Sequence, residues 1–441
     1  VGISSGADGT FSLQIPPPVS TRQLEVSYLG YETLEVNVGN RTSFDFTLQE
    51  SSAEIEQVVV TALGIKRSEK AVAYNVQQIK AEDITTVKDA NFINSLTGKV
   101  AGVTINASSS GVGGASKVVL RGNKSISQSS NALYVIDGIP MYNFGGGGGT
   151  EFDSRGATES IADINPEDIE SMSVLTGAAA AALYGSQGAN GVIVITTKKG
   201  EEGRVRVNYA NNTTFSSPFV MPQFQNTYGT EATAPSMSWG TKLSTPTSYD
   251  PSDFFQTGFE ETNAISVSGG TRVNQSYFSA ASLNSRGIIP NNVYNRYNFT
   301  FRNTTQLIKD KLTLDLGASY MRQYKRNPLV QGLYHNPLIP IYLFPRGDDI
   351  SKYEVYERYD ATAGYMKQFW PLEFITGVEN PWWITNRELF ENTAHRYTFN
   401  ATLKWDIADW ITLTGRVRTD NMVMNYTRKI YASSDKLFAS E

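Results

Sequence analysis

Residues 397–417, YTFNATLKWDIADWITLTGRV, alternate apolar and polar side chains in two runs that a short polar turn separates. Tyr397, Phe399 and Leu403 share one face of the first run, and Ile411 and Leu413 share one face of the second. Successive side chains of a β-strand point to opposite faces, so an alternation of period two predicts strands with one apolar and one polar surface. This stretch therefore predicts an antiparallel hairpin of two long strands.

The same alternation extends back to residue 204 and predicts seven strands, at 204–216, 263–270, 275–285, 295–307, 311–323, 395–406 and 410–427. Long or intermediate connections (217–262, 286–294, 324–394) alternate with short ones (271–274, 308–310, 407–409). Short turns at one end and longer loops at the other are typical of bacterial outer-membrane β-barrels, which have even numbers of strands. Seven strands therefore predict only part of such a barrel, with further strands expected beyond Glu441.

The composition argues against several classes of function. Charged residues make up 18% of the chain and the net charge is -5, so no basic surface for nucleic acid is indicated. Cysteine is absent, which excludes disulfides, thiolate nucleophiles and cysteine-bound zinc. With only two histidines, His335 and His395, we expect neither a histidine-based metal site nor a catalytic triad. No catalytic, cofactor-binding or metal-binding residue is predicted, and the protein is not expected to be an enzyme.

The first 50 residues contain several short alternating runs with frequent turns. Strands are predicted at 10–15, 24–28, 34–38 and 44–48, with Asp8-Gly9 as a turn and Pro16-Pro17-Pro18 as a break. Short strands at this spacing favour a small all-β sandwich that is incomplete at its start.

The segment Glu56-Gln57-Val58-Val59-Val60-Thr61 is strongly β-prone and has no hairpin partner close by in the sequence. One interpretation is an ordinary strand between domains. The other is an exposed strand that pairs with a partner chain by β-augmentation.

Residues 71–200 mix helices and strands, which favours an α+β domain. Asp89 is a predicted helix cap for residues up to Leu96, and Asn165-Pro166 has the cap and first-turn proline of a second helix. Residues 178–183 predict a short alanine helix that Gly185 ends.

These segments together resemble the SusC/RagA-type TonB-dependent transporters. The resemblance rests on Leu120-Arg121-Gly122, on Leu133 to Pro140 (LYVIDGIP), on Asn165 to Ser171 (NPEDIES) and on Ala182 to Ile193 (ALYGSQGANGVI). It implies a carboxypeptidase-regulatory-like extension (1–50), a TonB-box region (54–64), a plug domain (71–200) and the first strands of a barrel (203–441). The plug-signature residues it implies are Arg121, Gly122, Asp137, Gly138, Pro140, Gly185, Asn190 and Gly191.

The resemblance also implies a function and its partners. A 22-stranded plugged barrel in the outer membrane of a Gram-negative bacterium would import oligosaccharides or peptides, with TonB bound at residues 56–61 and a SusD-like lipoprotein as a lid. No cofactor is implied. The alternative is a binding or adhesion barrel without transport.

Two features within the expected domains keep more than one interpretation each. One interpretation of Arg121 and Asp137 is a functional ion pair between them. The other is that each residue braces strands of the plug. Trp370, Trp382 and Trp383, in the longest connection, contact ligand or lid, or they pack within the loop or anchor it at the membrane.

Overall fold

The structure is a computed structural model, and it describes residues 3, 5–6, 9–14, 23–26, 31, 34–39, 41–48, 58–60, 66–68, 76–85, 90–107, 111–125, 130–142, 160–176 and 178–439. Among these residues, no helix has both the length and the hydropathy that a membrane span requires.

Residues 1–58 and 67–71 form one compact unit. In it, β1 (Gln23–Val26) pairs with β2 (Leu34–Asn37) in antiparallel fashion. The strands predicted at 10–15 and 44–48 are wrong for their described residues, which are not assigned to strands. Phe11 and Phe46 nevertheless stack with ring centroids 6.0 Å apart. The two segments therefore meet through their rings, and their described residues form no strand.

The valine segment forms β3 (Val58–Val60), which pairs with β4 (Lys66–Ser68) in a two-stranded sheet. Our expectation that no hairpin partner lies nearby is therefore wrong, because the charged run that follows supplies one. The predictions for Glu56, Gln57 and Thr61 lie outside the described residues.

The second compact unit begins with an α+β region. Its elements are β5 (Val76–Lys80), α1 (Ala81–Thr85), a 3₁₀ turn (Phe92–Leu96), β6 (Val103–Ala107), β7 (Ser116–Leu120), β8 (Leu133–Ile136), β9 (Ile139–Pro140), 3₁₀ turns (Ser160–Asp163 and Pro166–Asp168), β10 (Ile169–Leu175), α2 (Ala178–Tyr184), a 3₁₀ turn (Gly185–Gly188) and β11 (Val192–Thr197). Five strands form a sheet in the order β5-β10-β11-β8-β9, and β6 pairs with β7. β10 and β11 are mostly buried, and the first four residues of β11 (Val192 to Ile195) form the continuous apolar run of a strand that is covered on both faces.

The predicted helix starts of this region were only partly right. Asn91, not Asp89, caps the turn at 92–96, and Asp89 lies outside the described residues. Asn165 does cap a turn, with Pro166 at its first position, but the turn ends at Asp168 and β10 follows at once. The β-branched and apolar residues of β10 gain more by pairing in the central sheet than by extending a helix. The alanine helix α2 and its end at Gly185, whose φ is 65°, are confirmed.

All seven long strands are confirmed, and they form one antiparallel sheet that follows the order of the chain. They are β12 (Gly203–Ser216), β13 (Gly258–Gly270), β14 (Asn274–Arg286), β15 (Val293–Ile308), β16 (Leu312–Arg326), β19 (Glu388–Ala408) and β20 (Ile411–Ile430). The strands run several residues longer than predicted, mostly at the end that carries the long loops. The alternation of long and short connections is also confirmed.

One face of this sheet covers the α+β region and the other is apolar and exposed. On β15, Phe299 and Phe301 point outward and are about half exposed, whereas Arg302 is buried. On β19, Tyr397 and Phe399 point outward while Arg396 is buried. The polar positions of the sequence pattern thus face inward and the apolar positions face outward, the reverse of a soluble sheet.

The long connections fold together at one end of the sheet. They contain a 3₁₀ turn (Pro251–Phe254), α3 (Leu338–Leu343), a 3₁₀ turn (Ile350–Tyr353), a hairpin of β17 (Glu357–Asp360) and β18 (Tyr365–Gln368), and α4 (Pro381–Arg387). Their aromatic and aliphatic side chains form a separate core, which we call the loop core; its buried members are Tyr249, Phe254, Ile289, Ile341, Phe344, Ile350, Tyr353, Trp370, Leu372 and Val378.

Candidate functional site

The contact between the α+β region and the inner face of the long strands is the candidate site. It begins at the hairpin of β8 and β9, which Asp137 and Gly138 connect with φ angles of 49° and 84°. Two successive positive φ values are those of a type I′ turn, for which Asp-Gly is a preferred pair. The turn directs the Asp137 side chain towards the long strands.

Asp137 joins β11 to β15. Its carboxylate accepts hydrogen bonds from the Thr197 backbone N–H (3.0 Å) and hydroxyl (2.7 Å). It also accepts one from the Arg302 guanidinium at 3.1 Å. Because Arg302 is buried, this ion pair is largely shielded from water.

Arg302 also forms a two-pronged pair with Asp315 of the neighbouring strand β16. Its Nε and Nη2 lie 2.8 and 2.9 Å from the two carboxylate oxygens. Lys199, just after β11, adds a contact of 2.8 Å to Asp315. Two cations and two carboxylates therefore alternate across the interface, which balances their charges.

A second ion-pair group lies around Arg396 of β19. Its guanidinium binds Asp163 of the α+β region at 3.0 Å and Asp420 of β20 at 2.7 Å. Burial raises the pKa of the Asp163 carboxyl above its usual range, and the charge of Arg396 offsets part of this rise. Asp163 thus depends on the strand arginine for its charge.

Asp168 is held by hydroxyl groups instead of cations. Tyr277 donates a hydrogen bond of 2.9 Å to one carboxylate oxygen, and Thr300 donates one of 2.8 Å to the other. Burial raises the pKa of Asp168, and hydrogen bonds from strand hydroxyls act in the opposite direction.

Other strand side chains hold the backbone of the α+β region. Arg296 donates to the carbonyl oxygens of Ala90 and Ala162. Asn298 donates to the Asp163 carbonyl at 2.6 Å, and Lys325 donates to the Gly113 carbonyl at 2.7 Å. Ion pairs and hydrogen bonds are thus prominent across this interface, and they join residues of the strands to turns of the α+β region.

Comparison with known proteins identifies the architecture. Residues 68–192 match the TonB-dependent Receptor Plug Domain family. The chain is 27% identical over 397 residues to the TonB-dependent receptor SusC of Bacteroides thetaiotaomicron, an alignment that covers 87% of this chain and 36% of SusC. It is 31% identical over 303 residues to the TonB-dependent receptor P3 of Formosa agariphila, with 67% and 28% covered.

The fold agrees with these matches. The RagAB peptide importer in its 'closed-closed' state superposes with a TM-score of 0.61 at 19% identity, over 82% of this chain and 42% of that one. The chain belongs to the SusC/RagA-type TonB-dependent transporters. It spans about a third of the length of the curated relatives it matches.

As a TonB-dependent transporter, the chain is a protein of the outer membrane of a Gram-negative bacterium. The α+β region is its plug, and the seven-stranded sheet is part of its barrel. An outer-membrane barrel of this class turns an apolar outer face to lipid, and its longer loops are those of the extracellular side.

The plug-signature residues of this transporter do not form one site. Asp137 lies at the barrel contact, whereas Arg121 is exposed at a turn after β7, where Gly122 follows it with a φ of 84°. The partner of Asp137 is Arg302, so the idea of an ion pair between Arg121 and Asp137 is wrong. Pro140 lies on β9, and Gly185, Asn190 and Gly191 form turns beside β11.

The prediction that Trp370 and Trp383 contact ligand or lid is also wrong for the described structure. Their side chains are 4% and 1% exposed, and the Trp383 indole donates to the Ser434 hydroxyl at 2.9 Å. Loop packing, the alternative interpretation, accounts for both. Trp382 is half-buried against the loop core, and its contact with a ligand stays a prediction.

Sequence reasoning missed the barrel partners, above all Arg302, Arg396 and Asp315. Their signal was present, because each is a charged residue on the face of an alternating strand that turned out to be buried. In a barrel whose outer face meets lipid, charged side chains at polar positions of the pattern must point to the lumen, where the plug lies.

Proposed function

We propose that the protein carries out TonB-dependent active import of oligosaccharides or peptides across the outer membrane, with a SusD-like lipoprotein as its lid. The observation that carries this proposal is the ion-paired contact between plug and barrel at Asp137, Asp163, Arg302 and Arg396. The relatives are TonB-dependent receptors, which favours nutrient uptake over enzymatic chemistry.

An import gate must hold its plug firmly and still release it. Ion pairs and hydrogen bonds can be exchanged for hydrogen bonds to water when the surfaces separate, so parting them costs much less than their strength in a dry interior. An apolar contact of the same area would lose about 25 cal/mol for each Å² exposed to water. The polar interface therefore favours a plug that moves over a plug that only fills the barrel.

The force for this movement is proposed to come from TonB, bound at Glu56-Gln57-Val58-Val59-Val60-Thr61. Among the described residues, the sheet of β3 contains only β3 and β4, and a third strand can add to such an edge. Backbone hydrogen bonds to an added strand resist a pull along the chain without specific side-chain chemistry.

The proposed boundaries follow from the same assignment. Residues 1–50 form the regulatory-like domain, 54–64 the TonB-box region, 71–200 the plug and 203–441 the barrel strands. The RagAB structure is that of a peptide importer, so peptides are one cargo class for this chain and oligosaccharides are the other. The lid would contact the extracellular loops.

Growth of the host on single peptides or glycans tests the proposal. Deletion of residues 54–62 is expected to abolish growth on one substrate class while substrate binding by the purified protein is unchanged. Val59→Pro should have the same effect, because proline removes a backbone donor, whereas the matched Val59→Ala variant should grow normally. Growth of the deletion strain on every substrate would argue for a binding barrel without transport, and loss of binding would contradict a purely mechanical role of the segment.

A further inference from the structure

A buried cluster at the end of the sheet that carries the long loops brings together His335, Glu379 and Glu388. One potential ligand atom from each residue lies within 4.8 Å of the others. The three residues are 3%, 4% and 1% exposed, so water does not screen their charges. They come from separate parts of the chain: the loop before α3, the residues before α4 and the first residue of β19.

The hydrogen bonds fix the state of the imidazole. Arg428 of β20 lies 2.9 Å from Nε2 of His335, and an arginine can only donate, so Nε2 accepts. The ring proton is therefore on Nδ1, which donates to Oε2 of Glu388 at 2.7 Å. This hydrogen-bond pattern is that of the tautomer with its proton on Nδ1.

The two carboxylates are not fully satisfied. Oε1 of Glu379 accepts a hydrogen bond from the Asp435 backbone N–H at 2.8 Å. Oε1 of Glu388 is buried and has no hydrogen-bond partner among the described residues. Arg428 brings one positive charge to two carboxyl groups, and one further positive species is needed if both are ionised.

We propose that His335, Glu379 and Glu388 bind one divalent transition-metal ion of the zinc type. The ion would take Nδ1 of His335 and one oxygen from each glutamate, and water would complete a tetrahedral shell. One imidazole and two carboxylates are ligands that zinc accepts, and magnesium or calcium would instead require an all-oxygen set.

Metal binding at Nδ1 moves the imidazole proton to Nε2. The Arg428 guanidinium must then turn away from Nε2, because two donors cannot face each other. Its contacts with the rings of Phe390 and Phe438, each 5.2 Å from guanidinium carbon to ring centroid, remain available. The ion would fasten the segment before α4 to the base of β19 and thereby fix the loop core on the barrel.

The test uses the full chain, purified in detergent without a histidine tag. After loading with zinc chloride and removal of free metal, elemental analysis should find about one zinc per chain. Chelation should lower the melting temperature by several degrees, and zinc but not magnesium should restore it. Glu379→Gln and Glu388→Gln should lose the bound zinc. The control is Glu357→Gln, since Glu357 binds Arg387 in the same loops outside the cluster and should keep the zinc.

Two results would overturn the proposal. If the wild type neither retains zinc nor responds to chelation, and Glu379→Gln melts like the wild type, the glutamates share a proton, because the glutamine amide can donate to Glu388 in its place. Arg428→Gln gives the opposite check. The side-chain carbonyl of the glutamine can accept the Nε2 proton of a metal-bound imidazole, so this variant should bind zinc more tightly than the wild type. Weaker binding would contradict the proposed ligand set.

Discussion

The plug contact and the loop core differ in the chemistry of their buried side chains. At the plug contact the buried groups include charged side chains such as Arg302, Arg396 and Asp163. In the loop core they are aromatic rings, with Phe344 and Trp370 centroids 5.5 Å apart and Tyr353 and Trp370 centroids 5.4 Å apart. Water can replace the hydrogen-bond partners of the charged groups at the plug contact. In the loop core it offers nothing in place of the packing between rings. If the protein works as proposed, we expect the plug contact to separate more readily than the loop core.

The largest expected effect is at Trp383 of α4, in the same long connection as the loop core. Trp383→Ala removes a fully buried indole and its hydrogen bond to Ser434, which should lower the free energy of unfolding by about 3–5 kcal/mol. Thermal unfolding of the purified protein measures this. The control is Trp239→Ala, whose indole is 77% exposed, and it should change the stability by less than about 0.5 kcal/mol. Equal effects of the two variants would mean that α4 is not firmly packed in the long connection.

Removing a buried charge from the plug contact should lower its stability. Arg302→Met leaves Asp137 and Asp315 without their buried partner, and breaking such a pair costs about 3 kcal/mol. Lys199 still reaches Asp315, which places the loss at the lower end of the usual range. Chemical unfolding of the plug, followed by a fluorophore on it, measures this loss.

The control for Arg302 is another arginine on the same sheet. Arg206 pairs with Glu201 at 2.7 Å, but both side chains are more than 60% exposed. Arg206→Met should therefore cost less than about 1 kcal/mol. If the two arginine variants lose the same stability, the interface is wet, and the contrast between the two regions fails.

A third pair of variants asks whether the plug itself is rigid enough to move as a unit. Gly191 has a φ of 102°, and a side chain there would overlap Leu120 of the plug core. Gly122 has a φ of 84° with open space around it. Both alanine variants strain the backbone, but only Gly191→Ala also overpacks the core, by about 1–3 kcal/mol. Equal melting temperatures for the two variants would show that the plug core rearranges to accommodate the added methyl group.

The sequence predicted the elements better than the contacts. Strict alternation and the sorting of loop lengths are local properties, so seven strands could be placed from residues 204–427. The partner of Asp137 is 165 residues away, and nothing at either position identifies the other. The same holds for His335 and Glu388, since the expectation of no histidine-based metal site rested on the number of histidines. The number of histidines in a sequence does not show which acidic residues the fold places beside each of them.

The smallest effect concerns one hydroxyl at the plug contact. Thr197 donates to Asp137 and accepts from Arg302 at 2.5 Å, so its hydroxyl bridges the ion pair. Thr197→Val keeps the shape and should cost about 1 kcal/mol, since Asp137 retains the Thr197 N–H and Arg302. Combined with Arg302→Met, the costs should not add, because both changes remove one shared network. Additive costs would mean that the hydroxyl orders only the plug and takes no part in the network that Arg302 forms with the barrel.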